Sequence, residues 1–277
     1  MSNEKKKEDN FKEAYVNDDS IFKFLKPNNN DELTKMNGYD LQDLIVLIDE
    51  YYIKLRNQLG LDNNITFGLE LEFENAKKIE IDEQLRKAFP NEKWKTKQDC
   101  SLNEGAEISS PILKDTKENW QELNNVCSIV DPLASIGTKT GGHIHVGTQT
   151  LGSNKISWFN FIKMWSAYEN VIFRFAYGDF LTARPSLLKY AEPVSNFFWY
   201  QYKKLKKEKA SLNTIISTLS NNSYQAVNFN NVKGKKCNTF IPNNTIEFRC
   251  PNGTLHAEVW QNNVNLFVKM LVYSKST

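Results

Sequence analysis

The sequence has little of what defines several common protein classes. Its four cysteines are scattered and form no C-x-x-C pair, a pattern typical of reduced thiols in a cytoplasmic protein. The chain lacks both an apolar run of about 18 residues and the apolar core of a signal peptide, so neither a membrane span nor export by that route is expected. The net charge of only +2 gives no indication of nucleic-acid binding.

Several catalytic motifs are also missing. The absence of H-E-x-x-H, G-x-x-x-x-G-K-[ST] and G-x-S-x-G argues against a zincin protease, a P-loop enzyme and an acyl hydrolase with a nucleophile elbow. Only three histidines are present, and two of them stand in "GGHIHVG", residues 141–147. This His-x-His is not followed by the glutamate of a cupin. Only His256 remains to complete an amidohydrolase barrel.

The composition is that of a globular protein, with 25% charged and 12% aromatic residues. Residues 1–35 are charged and Asn-rich, and we interpret them as a flexible N-terminal tail. Residues 36–277 are predicted to form a single domain. Its first helix is expected over 39–60, where apolar residues recur at helical spacing until Gly60. Further helices are predicted over 81–89, 115–130, 156–177, 195–220 and 256–275.

Four segments alternate apolar and polar residues with a period of two, which predicts strands. These segments are "TFGLELEFE" (66–74), "AEISS" (106–110), "HIHVG" (143–147) and "TIEFRC" (245–250). Because they are separated by helices and several are expected to be antiparallel, the pattern favours an α+β fold with helices on one side of the sheet.

The second face of these strands has an unusual composition for a face exposed to water. It carries acids, imidazoles and one arginine but no lysine: Glu70, Glu72, Glu74, Glu107, His143, His145, Glu247 and Arg249. Carboxylates gathered on one face repel one another, and bound cations would offset that cost. Carboxylate oxygens with one or two imidazoles suit Mg²⁺ or Mn²⁺ better than a closed zinc site. An arginine on the same face suits phosphate.

Five motifs occur in an order that resembles the putative amidoligase family. They are "FGLELEFE", "DCSLNEGAEISSPIL", "GGHIHVG", "YQAVNF" and "NNTIEFRCPNGTL", and the resemblance covers about residues 64–273. These proteins are carboxylate–amine ligases related in fold to glutamine synthetase and glutamate–cysteine ligase. The resemblance implies a curved, mostly antiparallel sheet with helices on its convex face. It also implies an open polar concave face that binds ATP and two or more Mg²⁺ or Mn²⁺ ions.

The resemblance also implies a role for individual residues. The implied metal ligands are Glu70, Glu72, Glu107, His143 and Glu247. The other implied site residues contact nucleotide or substrate. The implied catalytic groups are Arg249, Asp99 and Arg184. The implied cofactor-binding groups are His145, Ser101, Asn228 and again Arg249. His145 is expected nearer the phosphates than the metal, and Tyr190 resembles a substrate-loop tyrosine. The asparagine expected between Arg184 and Tyr190 is missing, as is an arginine just before Tyr224.

The implied reaction is ATP-dependent amide formation through an acyl phosphate. Its substrates would be small-molecule or peptide carboxylates and amines. Glu74 is a candidate general base, although a surface glutamate is the simpler interpretation. Two alternatives stay open: a guanidino phosphotransferase of the same fold, and a non-catalytic module that binds ATP and magnesium. The oligomeric state is also open, with a homo-oligomer as one alternative.

Overall fold

The computed structural model describes residues 54–91, 93–137, 139–176, 187–220, 222–234 and 236–276. The predicted tail, 1–35, and most of the predicted helix 39–60 lie outside these residues. The last part of that helix, residues 54–60, is not helical. Instead, the backbone N–H groups of Leu59 and Leu61 donate hydrogen bonds to the carboxylate of Asp115.

Within the described residues, six strands form one antiparallel sheet in the order β2-β3-β1-β4-β6-β5. The strands are β1 (Phe67–Phe73), β2 (Lys95–Gln98), β3 (Ala106–Ser109), β4 (Gly142–Gly147), β5 (Val227–Asn228) and β6 (Thr245–Phe248). The four predicted strands are confirmed as β1, β3, β4 and β6. The two edge strands were not predicted, because "KTKQ" contains no apolar residue and β5 has only two residues.

The helices pack against this sheet. They are α1 (Lys78–Ala88), α2 (Lys117–Val130), α3 (Lys155–Ala176), α4 (Leu187–Tyr190), α5 (Ser195–Lys207), α6 (Leu212–Leu219) and α7 (Ala257–Ser276). The single helix predicted over 195–220 is therefore wrong. The first of the two helices, α5, ends before Lys209, whose φ of 53° is not helical. The side chain of Ser211 then caps α6 by accepting a hydrogen bond from the Thr214 N–H. No helix in the described part of the chain is long and apolar enough to cross a membrane.

One face of the sheet forms the core. The ring of Phe248 in β6 stacks on that of Phe267 in α7, with their centroids 4.3 Å apart. The ring centroid of Trp165 in α3 lies 5.8 Å from that of Phe248. Phe67 of β1 stacks on Trp120 of α2 at 5.1 Å. These contacts confirm an α+β fold in which helices bury the apolar side of an antiparallel sheet. Because side chains alternate along a strand, burying this side fixes the acids and imidazoles on the other.

A buried carboxylate joins two of the helices. Glu169 of α3 is 3% exposed and accepts hydrogen bonds from the indole N–H of Trp165 and from the backbone N–H groups of Val194 and Ser195. Val194 precedes α5 and has no capping side chain of its own. Glu169 therefore caps α5 from another helix, where a negative charge also complements the helix dipole.

We expect Glu169→Gln to lower the free energy of unfolding by about 1–3 kcal/mol, because an amide nitrogen cannot accept from a backbone N–H. Urea unfolding followed by circular dichroism measures this change. Glu83→Gln, on the exposed side of α1, is the control and should change stability by less than about 0.5 kcal/mol. Equal stability of the two variants would contradict the capping role.

Candidate functional site

Strand register brings the predicted acids and imidazoles together on the polar face. Glu70 of β1 lies opposite His143 of β4, and Glu72 lies opposite Glu107 of β3. His145 of β4 lies opposite Glu247 of β6. The centre of the face therefore draws its functional groups from four adjacent strands, all of which the sequence predicted.

Glu70 lies between the two histidines. Its Oε2 accepts a hydrogen bond from His143 Nδ1 at 2.9 Å, and its Oε1 lies 3.1 Å from His145 Nε2. His143 Nδ1 also lies 3.7 Å from Glu247 Oε1, while His143 Nε2 lies 3.6 Å from Glu72 Oε1. Three carboxylates thus surround one buried imidazole.

These contacts shift two ionisation equilibria in opposite directions. Burial would raise the pKa of Glu70, but the adjoining imidazoles of His143 and His145 lower it well below its usual value. Burial would lower the pKa of His145, but contact with Glu70 and the charges of Glu247 and Glu107 raise it. The pair therefore favours an ionised carboxylate beside a protonated imidazole, so a proton supplies part of the positive charge that the acids require.

The same groups fit a divalent cation. Ligand atoms of Glu70, His145 and Glu247 lie within 4.8 Å of one another. Among the described residues, neither His143 Nε2 nor His145 Nε2 has a well-aligned hydrogen-bond partner, although both atoms are buried. Buried imidazole nitrogens that lie among carboxylates and make no well-aligned hydrogen bond are suitable ligands for a metal ion. The predicted division, with His143 as ligand and His145 near phosphate, stays a prediction. The geometry groups His145 with the two acids.

Glu72 and Glu107 differ in their surroundings. Glu72 is 5% exposed and accepts a hydrogen bond from the backbone N–H of Gly141. Glu107 accepts from Ser109 Oγ at 2.8 Å and lies 3.3 Å from Lys97 Nζ. Lys97 belongs to β2, so the unpredicted edge strand adds a lysine beside a face that was expected to have none.

Asn228 and Arg249 hold the carboxylate of Glu247. Asn228 Nδ2 donates to Oε2 at 2.8 Å, and an Arg249 guanidinium N–H donates to Oε1. Arg249 Nε also donates to the backbone carbonyl of Tyr190 at 3.0 Å. The arrangement fixes Glu247 in orientation and ties the face to the Tyr190 segment. Sequence reasoning placed Asn228 and Arg249 in the site but did not predict that they orient an acid.

Asp99 and Ser101, two further predicted site residues, contact each other. Asp99 accepts from the Ser101 N–H at 2.8 Å in the loop between β2 and β3, and within the described residues neither side chain bonds to the acids or histidines. Arg184 lies outside the described residues. The ring of Tyr190 packs edge-to-face against Tyr224 at 5.7 Å.

Glu74 is buried, so its interpretation as a surface glutamate is wrong, while its candidacy as a general base stays a prediction. It is 4% exposed rather than a surface residue, and its Oε1 accepts from the Asn103 N–H at 2.8 Å. The carboxylate therefore holds the loop before β3, and this contact gives it a structural function.

A cavity of about 450 Å³ opens beside the centre. Glu70 and His145 line one side of it, and Ser109 and Thr245 add hydroxyl groups. Phe240, from the loop before β6, adds an aromatic wall that the sequence analysis missed. No periodic pattern marks that loop, so only the adjacent apolar pair Phe240 and Ile241 in a polar stretch could have indicated a binding role.

Comparison with known families matches the chain to a model described as putative amidoligase enzyme over residues 78–271. That match includes β2 to β6 and most of α7, and it begins just after β1. None of the curated proteins matches the chain.

We expect the His145 imidazole of the metal-free protein to titrate with a pKa above the ordinary 6.5, because Glu70 and its neighbours stabilise the protonated ring. Imidazole NMR resonances followed against pH, with His145→Asn to assign the signal, measure this pKa. The protonated His145 stabilises the folded state. This stabilisation is fully present below the pKa of the unfolded state and is lost as pH rises through the raised pKa of the folded state. A midpoint at or below 6.5 would contradict the described ion pair.

Proposed function

Because the chain belongs to the putative amidoligase enzyme family, we propose that it is an ATP-dependent carboxylate–amine ligase. The observation that carries the proposal is the set of Glu70, His145 and Glu247, with ligand atoms within 4.8 Å, beside a cavity of about 450 Å³. Such a site offers hard oxygen ligands next to space for a nucleotide.

Mg²⁺ or Mn²⁺ held by these residues would neutralise phosphate oxygens and favour phosphoryl transfer. In the proposed reaction, a substrate carboxylate oxygen attacks the γ-phosphorus, the bond to the bridging oxygen breaks, and ADP leaves. The resulting acyl phosphate is attacked at its carbonyl carbon by an amine. The new C–N bond forms, the C–O bond to phosphate breaks, and the amine loses a proton.

The chain's own residues position and neutralise charge in this scheme. Asn228 and Arg249 hold the Glu247 carboxylate in a fixed orientation. The side of the Arg249 guanidinium not bonded to Glu247 and Tyr190 supplies donors suited to a phosphate or carboxylate oxygen. The side chain of Arg249 is 15% exposed, so a ligand on the polar face can contact it. The proposal requires no nucleophilic side chain, since both attacking atoms belong to substrates.

Replacing Glu247 with Gln should lower ADP formation by about a hundredfold or more, because a neutral amide keeps the side-chain shape but removes an anionic ligand. The assay measures ADP formation in the presence of Mg²⁺ and candidate carboxylate–amine pairs. Mass spectrometry then detects any new amide. Glu83→Gln is the matched control and should retain full activity. Undiminished turnover by Glu247→Gln would contradict the site assignment, and a phosphorylated guanidine product would indicate the phosphotransferase instead.

Metal binding can be tested without turnover. We expect Mn²⁺ to bind the wild-type chain and to bind Glu70→Gln at least about tenfold more weakly, since the variant loses the carboxylate shared by both imidazoles. Electron paramagnetic resonance of free Mn²⁺ measures the two affinities, and EDTA should reverse binding. Equal affinities would remove Glu70 from the metal site.

A further inference from the structure

Lys97 extends from the edge strand β2 onto the polar face of the sheet. It pairs directly with Glu107 of β3, and Glu107 in turn pairs with Glu72 of β1. Directly opposed residues of antiparallel strands have their side chains on the same face, so Lys97 shares the face of these acids. The strand order places this cation on the opposite side of the site from Arg249, which follows β6.

The ammonium group of Lys97 is open to solvent and has only one carboxylate partner among the described residues. Its Nζ lies 3.3 Å from Glu107 Oε1, and 59% of the side chain is exposed. The same carboxylate oxygen also accepts a hydrogen bond from Ser109 Oγ at 2.8 Å. Exposed ion pairs contribute little to stability, so little free energy is lost when the ammonium leaves Glu107. The flexible lysine stem can carry the charge to another anion without movement of the backbone.

Lys97 also lines the cavity of about 450 Å³ that opens beside Glu70 and His145. Among the described residues that line this cavity, it is the only lysine or arginine. Lys95 lies two residues earlier on the same face of β2 and is also exposed, but it does not line the cavity. Position, and not charge alone, therefore distinguishes Lys97 from the other lysine of the strand.

A triphosphate that enters this cavity needs positive charge from more than one direction. A divalent cation held by Glu70, His145 and Glu247 would neutralise the phosphate oxygens that contact it. The remaining oxygens need a second cation, and Lys97 supplies one from the side of the cavity formed by β2 and β3. Lysine suits this role because its compact ammonium group binds phosphate as a point charge.

We propose that Lys97 binds a phosphate oxygen of ATP, moving from Glu107 to that oxygen when the Mg²⁺–nucleotide complex enters the cavity. This inference rests on the proposed function. A metal ion bound at Glu107, as the family resemblance implies, would repel the nearby ammonium, and the accompanying phosphate would attract it. The negative charge of Glu107 would thus be compensated by Lys97 in the free protein and by the metal in the complex.

The test compares nucleotide binding with metal binding in one variant. Isothermal titration calorimetry measures the affinity for Mg²⁺–ATP without a carboxylate substrate, and electron paramagnetic resonance measures the affinity for Mn²⁺ alone. Lys97→Gln should bind Mg²⁺–ATP about tenfold to a hundredfold more weakly than the wild type, because it loses a charge-assisted contact to phosphate. It should bind Mn²⁺ at least as tightly, because no ammonium then competes for Glu107.

Two further variants show whether position and charge both matter. Lys95→Gln is the matched control, since it removes the same charge from the same strand outside the cavity. It should bind Mg²⁺–ATP within about twofold of the wild type, because solvent and salt screen exposed charges that make no direct contact. Lys97→Arg keeps the positive charge and should recover part of the affinity that Lys97→Gln loses.

The possible results separate this inference from the proposed function. Wild-type affinity for Mg²⁺–ATP in Lys97→Gln would overturn the assignment of Lys97 and leave the ligase proposal standing. Equal losses in Lys95→Gln and Lys97→Gln would also overturn it, because they would show a general effect of surface charge. A parallel loss of Mn²⁺ affinity in Lys97→Gln would overturn it by showing that the lysine acts through the metal site. Failure of the wild-type chain to bind Mg²⁺–ATP would contradict the proposed function itself.

Discussion

The contact of Glu70 with two imidazoles is the interaction on which the polar face depends. Glu70, Glu72, Glu107 and Glu247 lie on neighbouring strands, and their mutual repulsion opposes the sheet that brings them together. His143 and His145 place two groups able to carry positive charge among them. A proton on His145 and a cation bound at the proposed site would therefore be alternative ways to satisfy one electrostatic requirement, and metal affinity would then depend on pH.

The opposite face supplies the rigidity that this arrangement needs. Phe248 packs against Phe267 and Trp165, and the neighbouring residue Glu247 faces the site from the same strand. A shift of one residue in register would exchange the two faces, placing Glu247 in the aromatic core and Phe248 among the acids. The aromatic core therefore fixes the register that places the site residues on the polar face.

The strands that carry the site could be predicted because each is half buried. Period-two alternation identified β1, β3, β4 and β6, and with them the acids and both histidines. It could not identify β2, whose residues are all polar, or β5, which is too short to show a period. Lys97 was therefore missed. Asp99 and Ser101 were predicted by motif alone, and their loop position depends on contacts that no local pattern encodes.

The two edges of the sheet limit how copies of this chain can associate. An exposed edge strand offers unpaired backbone groups to any other strand, and proteins commonly protect such edges with lysines or with very short strands. Here β2 carries Lys95 and Lys97, and β5 has only two residues. Both edges thus resist the addition of a strand from a second molecule. We therefore expect any homo-oligomer of this protein to form through surfaces other than these two edges.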